Sequence, residues 1–219
     1  MITVSKALQE IIAKSPFLEE ALSDGLINVS SLARKLKPEI EEKLGKEIKV
    51  GAIVMAINRL EPNYYYKINI GIKDFVRNLG DVIVRSKLSD YTYSNSNTLT
   101  ENKAKLLEII KNENEYFCTF SQGVYESTVI VSSDIEDKIK SIFTNEKLLA
   151  ERKNLSSITI KLPSENTEVS GLYYFIFKKL AWEGINIIEV ISTTNEFTLV
   201  VGDADVDRAF SIIMNLKKV

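Results

Sequence analysis

A chain of 219 residues, 45% hydrophobic and 26% charged with a formal charge of −2, has room for one to three globular domains. Its charge gives no bulk attraction for nucleic acid or an anionic membrane. With no histidine and a single cysteine, Cys118, disulfide frameworks, the usual zinc sites and histidine-dependent nucleophilic triads are excluded within the chain.

No apolar run approaches the roughly 18 residues of a membrane span. The opening MITVSKALQEII lacks a basic leader followed by an apolar core, so a cytoplasmic location without a membrane partner is expected.

The first block, residues 1–62, reads as helices. Leu8, Ile11 and Ile12 form an apolar stripe. Ser15-Pro16 offers a cap and a proline at the first helical position, and Asp24-Gly25 stops that helix. Asn28 or Ser30 caps a third helix bearing Leu32, Ala33 and Leu36, which Lys37-Pro38 is expected to interrupt. After Gly45, the residues Val50, Ile53, Val54, Ile57 and Leu60 fall at helical spacing.

This block reads as a helix-turn-helix-like module. Between Ser30 and Leu60 seven basic side chains face four acidic ones, the local excess that phosphate contact requires. Arg34, Lys35, Lys46, Lys49, Asn58 and Arg59 are the candidate nucleic-acid contacts. The recognition helix is mostly apolar, however, so association with protein and a solvated charged face stand as the other readings.

Residues 63–80 read as a connector, with a strand or wing over Lys67–Ile72. From residue 81 a strand–helix–strand–strand–helix order begins. Val82, Val84 and Leu88 open a strand extended through Tyr91 and Tyr93. A helix follows from Thr100, its cap, with Leu106, Leu107 and Ile110 inward. Strands Tyr116–Ser121 and Tyr125–Val131 flank the turn Gln122-Gly123. A helix over Ile135–Phe143 closes the copy, capped by Ser133 or Asp134. Cys118 sits in an apolar strand and reads as a buried, unreactive thiol. Lys147–Asn154 reads as a bridge.

The last block, residues 155–219, repeats that order. Ile158, Ile160 and Leu162 alternate as a strand, and Leu172, Phe175, Ile176 and Leu180 share one helix face. Two strands follow, around Ile185–Val190 and Phe197–Val201, and Val206, Ala209, Phe210 and Ile213 close with a helix. The expected product is a four-stranded layer under two helices.

The strand Ile158-Thr-Ile160, the turn ending Val169-Ser-Gly171, and Ile176-Phe177, Leu180, Gly184-Ile-Asn-Ile187 and Ser192 resemble an ACT domain. The likeness is to the paired ACT modules at the regulatory end of aspartate kinases. Residues 81–150 look like a divergent partner copy with no glycine where its helix starts; Asn102 or Lys103 stands where small residues are usual.

The resemblance implies an α+β protein: the helical module followed by two ferredoxin-like βαββαβ modules. It also implies a shallow ligand site at an interface, in the turn before the first helix and the start of the second strand. Those residues are Glu165, Asn166, Thr167, Glu168, Val169, Ser170, Gly171, Ile185, Asn186 and Ile187. The N-terminal block holds no phosphate-cradling glycine loop, so the implied protein is a free-standing regulator and not an enzyme, with no cofactor.

The residues of that turn suit an amino acid. Unpaired helix N-terminal amides near Gly171 match a carboxylate, Glu165 and Glu168 match an ammonium, and the two asparagines donate and accept. A structural turn with Ser170 as a simple cap fits the same sequence. Tyr173, Tyr174, Phe175, Phe177 and Trp182 surround one helix, which points to contact between subunits, a homodimer above all, or between domains. Asp203, Asp205 and Asp207 lack the glycine and terminal glutamate of a calcium loop and read as helix capping.

The expected function is amino-acid sensing coupled to oligomer packing and, through the helical module, to DNA. The alternative is an assembly subunit that senses nothing.

Overall fold

The computed structural model describes the chain apart from residues 1, 61–63, 113–114, 165, 167–168 and 219. It divides into two compact units, Met1–Asp74 with Val169–Gly171, and Phe75–Glu168 with Leu172–Val219.

The first unit holds α1 (Val4–Ile12), α2 (Pro16–Ser23), α3 (Val29–Leu44) and α4 (Val50–Asn58). Local chemistry fixes their ends. The Thr3 hydroxyl accepts from the Lys6 amide at 3.2 Å, and Asn28 Oδ1 accepts from the Ser31 amide at 2.9 Å, each satisfying an orphan donor of a first turn. Pro16 stands at the first helical positions, but the Ser15 side chain makes no capping bond.

Helix α3 runs through Pro38 without interruption. The carbonyl that proline leaves unpaired belongs to Arg34, one turn earlier, and both residues lie toward the solvent side of the helix, where water takes the place of the missing amide. The core of the unit is Ala7, Leu8, Ile11 and Ile12 of α1 against Leu32, Ala33, Leu36 and Ile40 of α3 and Ile53, Ala56 and Ile57 of α4.

The strand or wing expected over Lys67–Ile72 is instead part of α5 (Tyr64–Arg77). The reason is periodicity beyond the aromatic run: Ile72, Phe75, Val76 and Leu79 are buried, a helical spacing that outweighs the β propensity of the tyrosines and isoleucines before it.

The second unit is built on a six-stranded antiparallel sheet of order β2-β3-β1-β4-β6-β5. Its elements are β1 (Val82–Ser94), α6 (Leu99–Ile110), β2 (Cys118–Gln122), β3 (Glu126–Ser132), α7 (Glu136–Ile142), β4 (Leu148–Lys161), α8 (Leu172–Trp182), β5 (Ile187–Ser192), β6 (Glu196–Gly202) and α9 (Val206–Leu216). Single 3-10 turns, Ser133–Ile135 and Asp203–Asp205, lead into α7 and α9.

Strands β1 and β4 are 13 and 14 residues long, more than twice the usual five or six. They pair from Val82↔Ile160 to Tyr93↔Leu148. The later half of β1, from Leu88, also pairs with β3, and the later half of β4, from Leu155, with β6. Each repeat therefore completes its four strands with half of the other repeat's first strand.

This corrects two expectations. The last block does not make a four-stranded layer alone, because its fourth strand is Val82–Arg85. Lys147–Asn154 is not a bridge, since from Leu148 it is strand. Its side chains are mostly exposed, so no alternation marks it in the sequence, while ladder pairing needs only the backbone.

The long strands bend where the repeats meet. Among the described residues, Lys87 and Asn154 are the non-glycine residues of positive φ, at 57° and 54°. They sit beside the Leu88↔Leu155 pair, where the β1–β4 register shifts. Such bulges bend and twist a strand pair.

One face of the sheet carries the helices. In the first repeat Tyr91, Tyr93, Val129 and Val131 pack against Leu99 and Leu106 of α6, Ile139 of α7 and the neighbouring Phe143. Leu107, expected inward, is 50% exposed, and Asn102 is buried in its stead. In the second repeat Phe197 meets Tyr173 and Phe177 of α8 at ring centroids 4.8 and 5.9 Å away. The opposite face has its own small core of Leu88, Ile130, Leu155 and Val200, flanked by Phe117, Ile188 and Ile191.

Left-handed backbone is tolerated by asparagine and costs a β-branched residue roughly 1–2 kcal/mol. Asn154→Val is therefore expected to lower the midpoint of thermal unfolding by about 2–6 °C, whereas Asn154→Gly holds it within about 2 °C, as read by scanning calorimetry.

Candidate ligand site

In the second repeat, β4 passes through Leu162 and Pro163 into the turn that precedes α8. Asn166 is buried, and its side-chain amide donates to the Pro163 carbonyl at 2.9 Å and to the Thr194 carbonyl at 2.6 Å. Both of its hydrogens are thus committed to holding this turn against the β5–β6 hairpin. Its donor hydrogens therefore serve the chain itself.

Glu165, Thr167 and Glu168 lie outside the described residues. Val169 is half-buried and Ser170 exposed. Gly171 adopts φ 85° immediately before Leu172, the first residue of α8. A side chain at that φ would be strained, so the glycine sets the direction in which the helix starts.

The second half of the candidate set follows the other end of α8. Gly184, at φ 70°, reverses the chain, and the Ile185 amide donates back to the Leu180 carbonyl at 3.0 Å, the pattern of a left-handed helix stop. Ile185 is buried, Asn186 is exposed and Ile187, half-buried, begins β5 opposite Val201. Of this trio Asn186 alone presents a polar side chain to solvent. Beyond it, the Tyr173 hydroxyl lies 3.0 Å from Ser192 Oγ, a polar pair between α8 and β5 that spacing alone does not reveal.

The first repeat uses the same device with a different filling. Asn95, in the turn after β1, donates to the carbonyls of Gly123 at 2.8 Å and Val124 at 3.1 Å and accepts from Ser127 Oγ at 2.7 Å. It clamps the turn to the opposing hairpin as Asn166 does.

Here a carboxylate of the chain itself enters the turn. Glu146 is 8% exposed and accepts from Ser96 Oγ at 2.6 Å, Thr98 Oγ1 at 2.8 Å and Asn102 Nδ2 at 2.7 Å. Burial raises the Glu146 carboxyl, but the hydrogen bonds from Ser96, Thr98 and Asn102 outweigh it and hold the group below the ordinary carboxylate range. Ser96 Oγ in turn accepts from the Leu99 amide at 3.1 Å, and the N-cap position of α6 is Thr98, while Thr100, the expected cap, lies inside the helix. Asn102, a departure from the expected small residue, is thereby explained as a partner of Glu146.

Cys118 is half-buried against the first repeat's core, and burial pushes its thiol up to about 11, the environment of an unreactive thiol. Asp203 accepts from Ser156 Oγ at 2.5 Å and Asp205 pairs with Arg208 at 3.1 Å. Among the described residues no group of three or more histidine, cysteine, aspartate or glutamate side chains is placed to hold a metal ion. No helix among them is long and apolar enough to cross a membrane.

In the helical unit, Arg34, Lys35, Lys46, Lys49, Asn58 and Arg59 fall at the helix surfaces and turns. Lys46 and Lys49 belong to the turn between α3 and α4, and Asn58 and Arg59 to the far end of α4. Lys37 and Lys43 are engaged by Glu41 and Glu10, at 3.4 and 3.1 Å. The exposed side of α4 otherwise offers Gly51, Ala52 and Met55, which bring no hydrogen-bonding side chain to a base edge.

No protein-family model and no curated protein matches the chain. Solved structures do. The crystal structure of aspartokinase alpha and beta subunits aligns with 64% of this chain and 99% of its own, at TM-score 0.54 and 9% identity. The ligand-free regulatory subunit of aspartate kinase from Thermus thermophilus aligns over 63% of this chain and 97% of its own, at TM-score 0.51 and 10% identity. Aspartate kinase from Clostridium acetobutylicum aligns over 63% of this chain and 34% of its own, at TM-score 0.52 and 16% identity. At these identities the likeness is one of fold: the C-terminal part is built as the ACT-type regulatory domains of aspartate kinases are.

Removing the internal carboxylate leaves Ser96, Thr98 and Asn102 without their acceptor. Glu146→Ala is expected to cost about 2–3 kcal/mol and to speed amide exchange in the first turn of α6 more than in α8, measured by hydrogen exchange.

Proposed function

We propose that the C-terminal unit is a non-catalytic sensor of a small molecule, an amino acid by the chemistry of its turn, acting at the start of α8 in the second repeat. The observation that carries this is the contrast between two equivalent turns. In the first, Glu146 supplies a carboxylate from within the chain. In the second, Gly171 turns the chain into α8, and the amides of that first turn are the natural partners of an external carboxylate.

Gly171, Ser170 and Val169 would approach the carboxylate through backbone, Asn186 and the acidic residues Glu165 and Glu168 would meet the ammonium, and Thr167, Ile185 and Ile187 would line the site. The fold shared with the regulatory subunit of aspartate kinase supports a regulatory role over a catalytic one. Ligand binding would act by favouring one packing of a homodimer over another.

A thermal-shift screen of the twenty common amino acids is expected to find at least one that stabilises the protein. Asn186→Ala, a change on the exposed surface, should weaken that ligand about tenfold, the worth of one hydrogen bond at a charged group. No stabilisation by any of the twenty would overturn the sensing reading.

The alternative of an assembly subunit draws on α8, where Trp182 is 77% exposed and Tyr173 and Tyr174 are each 40% exposed. A ligand-independent dimer that Trp182→Ala dissociates would favour it.

We propose further that the helical unit reports the state of the sensor, to DNA if Arg34, Lys35, Lys46, Lys49, Asn58 and Arg59 act together on a duplex. Binding should then appear in a gel shift at about 50 mM salt and weaken steeply by about 200 mM. Absence of binding at low salt removes DNA and leaves a protein partner.

A further inference from the structure

Strands β2 and β5 are the two ends of the sheet in strand order, yet they line one cleft. Thr119 and Ser121 of β2, Thr128 and Ile130 of β3, and Glu189 and Ile191 of β5 surround a space of about 250 Å³. The sheet therefore curls, about the bends at Lys87 and Asn154, until its outer strands face each other across the side that carries no helices. The cleft is remote in sequence from the Gly171 turn, and a ligand in it requires none at that turn.

Two buried polar atoms on this face have no hydrogen-bond partner among the described residues, Asp90 Oδ1 and Ser157 Oγ. Residues directly opposite in an antiparallel pair share a face. Asp90 stands opposite Ile130, a wall of the cleft, and Ser157 stands opposite Val200, which also faces Glu189.

Asp90 is 1% exposed. Its Oδ2 accepts from Arg152 Nη1 at 2.9 Å, and the second oxygen is left over. A buried carboxylate oxygen without a donor is costly. Burial raises both the Asp90 and the Glu189 carboxyls. For Glu189 the neighbouring Asp90 charge adds to burial and Glu126 adds a little more, while a hydrogen bond from the Val190 amide and the Arg152 charge oppose them. Asp90 is thus paired with Arg152 of β4, and Glu189 is the one carboxylate among the residues that line the cleft.

The walls add hydroxyls. The Thr128 hydroxyl shares a hydrogen bond with Thr92 at 3.2 Å, and Thr119 and Ser121 bring two more to the β2 side. The Glu189 carboxylate, hydroxyl acceptors and an unfilled carboxylate oxygen call for a cation that carries N–H donors. A metal ion is the poorer match, because no cluster of three ligating side chains exists among the described residues. The cleft of about 250 Å³ equals roughly eight water volumes, the size of a short aliphatic chain with one or two polar ends.

We propose that this cleft binds a small primary amine, its ammonium held by Glu189 with the free Asp90 oxygen behind it, and its methylenes laid on Ile130 and Ile191. A carboxylate on the ligand is disfavoured there by Glu189, which lines the cleft, so the preferred class is an amine or diamine and not an amino acid.

The test is calorimetric titration of the full chain with 1,4-diaminobutane, butylamine and 1,4-butanediol. Both amines are expected to bind at least tenfold more tightly than the uncharged diol. Glu189→Gln, on a half-buried strand at the sheet's end, should weaken the amines about tenfold to a hundredfold, the worth of a charge-assisted bond. Ser121→Phe should fill the cleft and abolish binding while the protein still melts cooperatively.

Affinity should also fall as pH drops through the raised Glu189 titration, because protonation removes the charge the ammonium meets. Equal binding of diol and amine, unchanged amine affinity in Glu189→Gln, or no amine binding by the folded chain would each overturn the proposal. None of the probes carries a carboxylate, so this outcome and that of the amino-acid screen are separate.

Discussion

The pairing of β1 with β4 along their whole length is the constraint on which the second unit rests. Without it the first repeat would end at β1 and the second at β4, each with an unpaired edge of backbone amides and carbonyls. With it, the chain from Val82 to Tyr93 runs in one ladder with the chain from Leu148 to Ile160, and two helix-covered cores share a common floor. The register shifts and the left-handed residues Lys87 and Asn154 are the adjustment that lets one long ladder serve two differently oriented halves.

The repeats agree in backbone logic and differ in chemistry. Each sets an asparagine in the turn between its first strand and first helix, Asn95 or Asn166, and each asparagine fastens that turn to the hairpin opposite. What then enters the turn distinguishes them: Glu146 in the first repeat, bound by Ser96, Thr98 and Asn102, and Gly171 at the head of α8 in the second. A repeat whose polar turn is filled from within is stabilised by it.

Within the two repeats the order of strands and helices was legible in the sequence wherever one side of an element is buried, whereas the aromatic run before Ile72 hid α5. Ile158 and Ile160, and Leu172, Ile176 and Leu180, carry periods of two and of about four that match their buried positions. The first half of β4 was not legible, because its side chains face water and only its backbone is engaged. Pro38 misled for the opposite reason: a local helix breaker is tolerated where the lost bond faces solvent. At the site level, the resemblance singled out Gly171, Gly184 and Asn186; the two glycines adopt positive φ and the asparagine is exposed. Spacing did not reveal that Asn166 is spent on the Thr194 carbonyl, or that Glu146 reaches back across 44 positions to Asn102, since contacts between distant segments leave no local period. The same holds for the meeting of β2 and β5, which strand order alone would place farthest apart.

Because each repeat borrows half of the other's leading strand, the two have no hinge between them. A change in twist at one turn travels along unbroken peptide bonds into the neighbouring sheet half, with no flexible linker to absorb it. Cutting the pair into halves would leave neither with a finished edge.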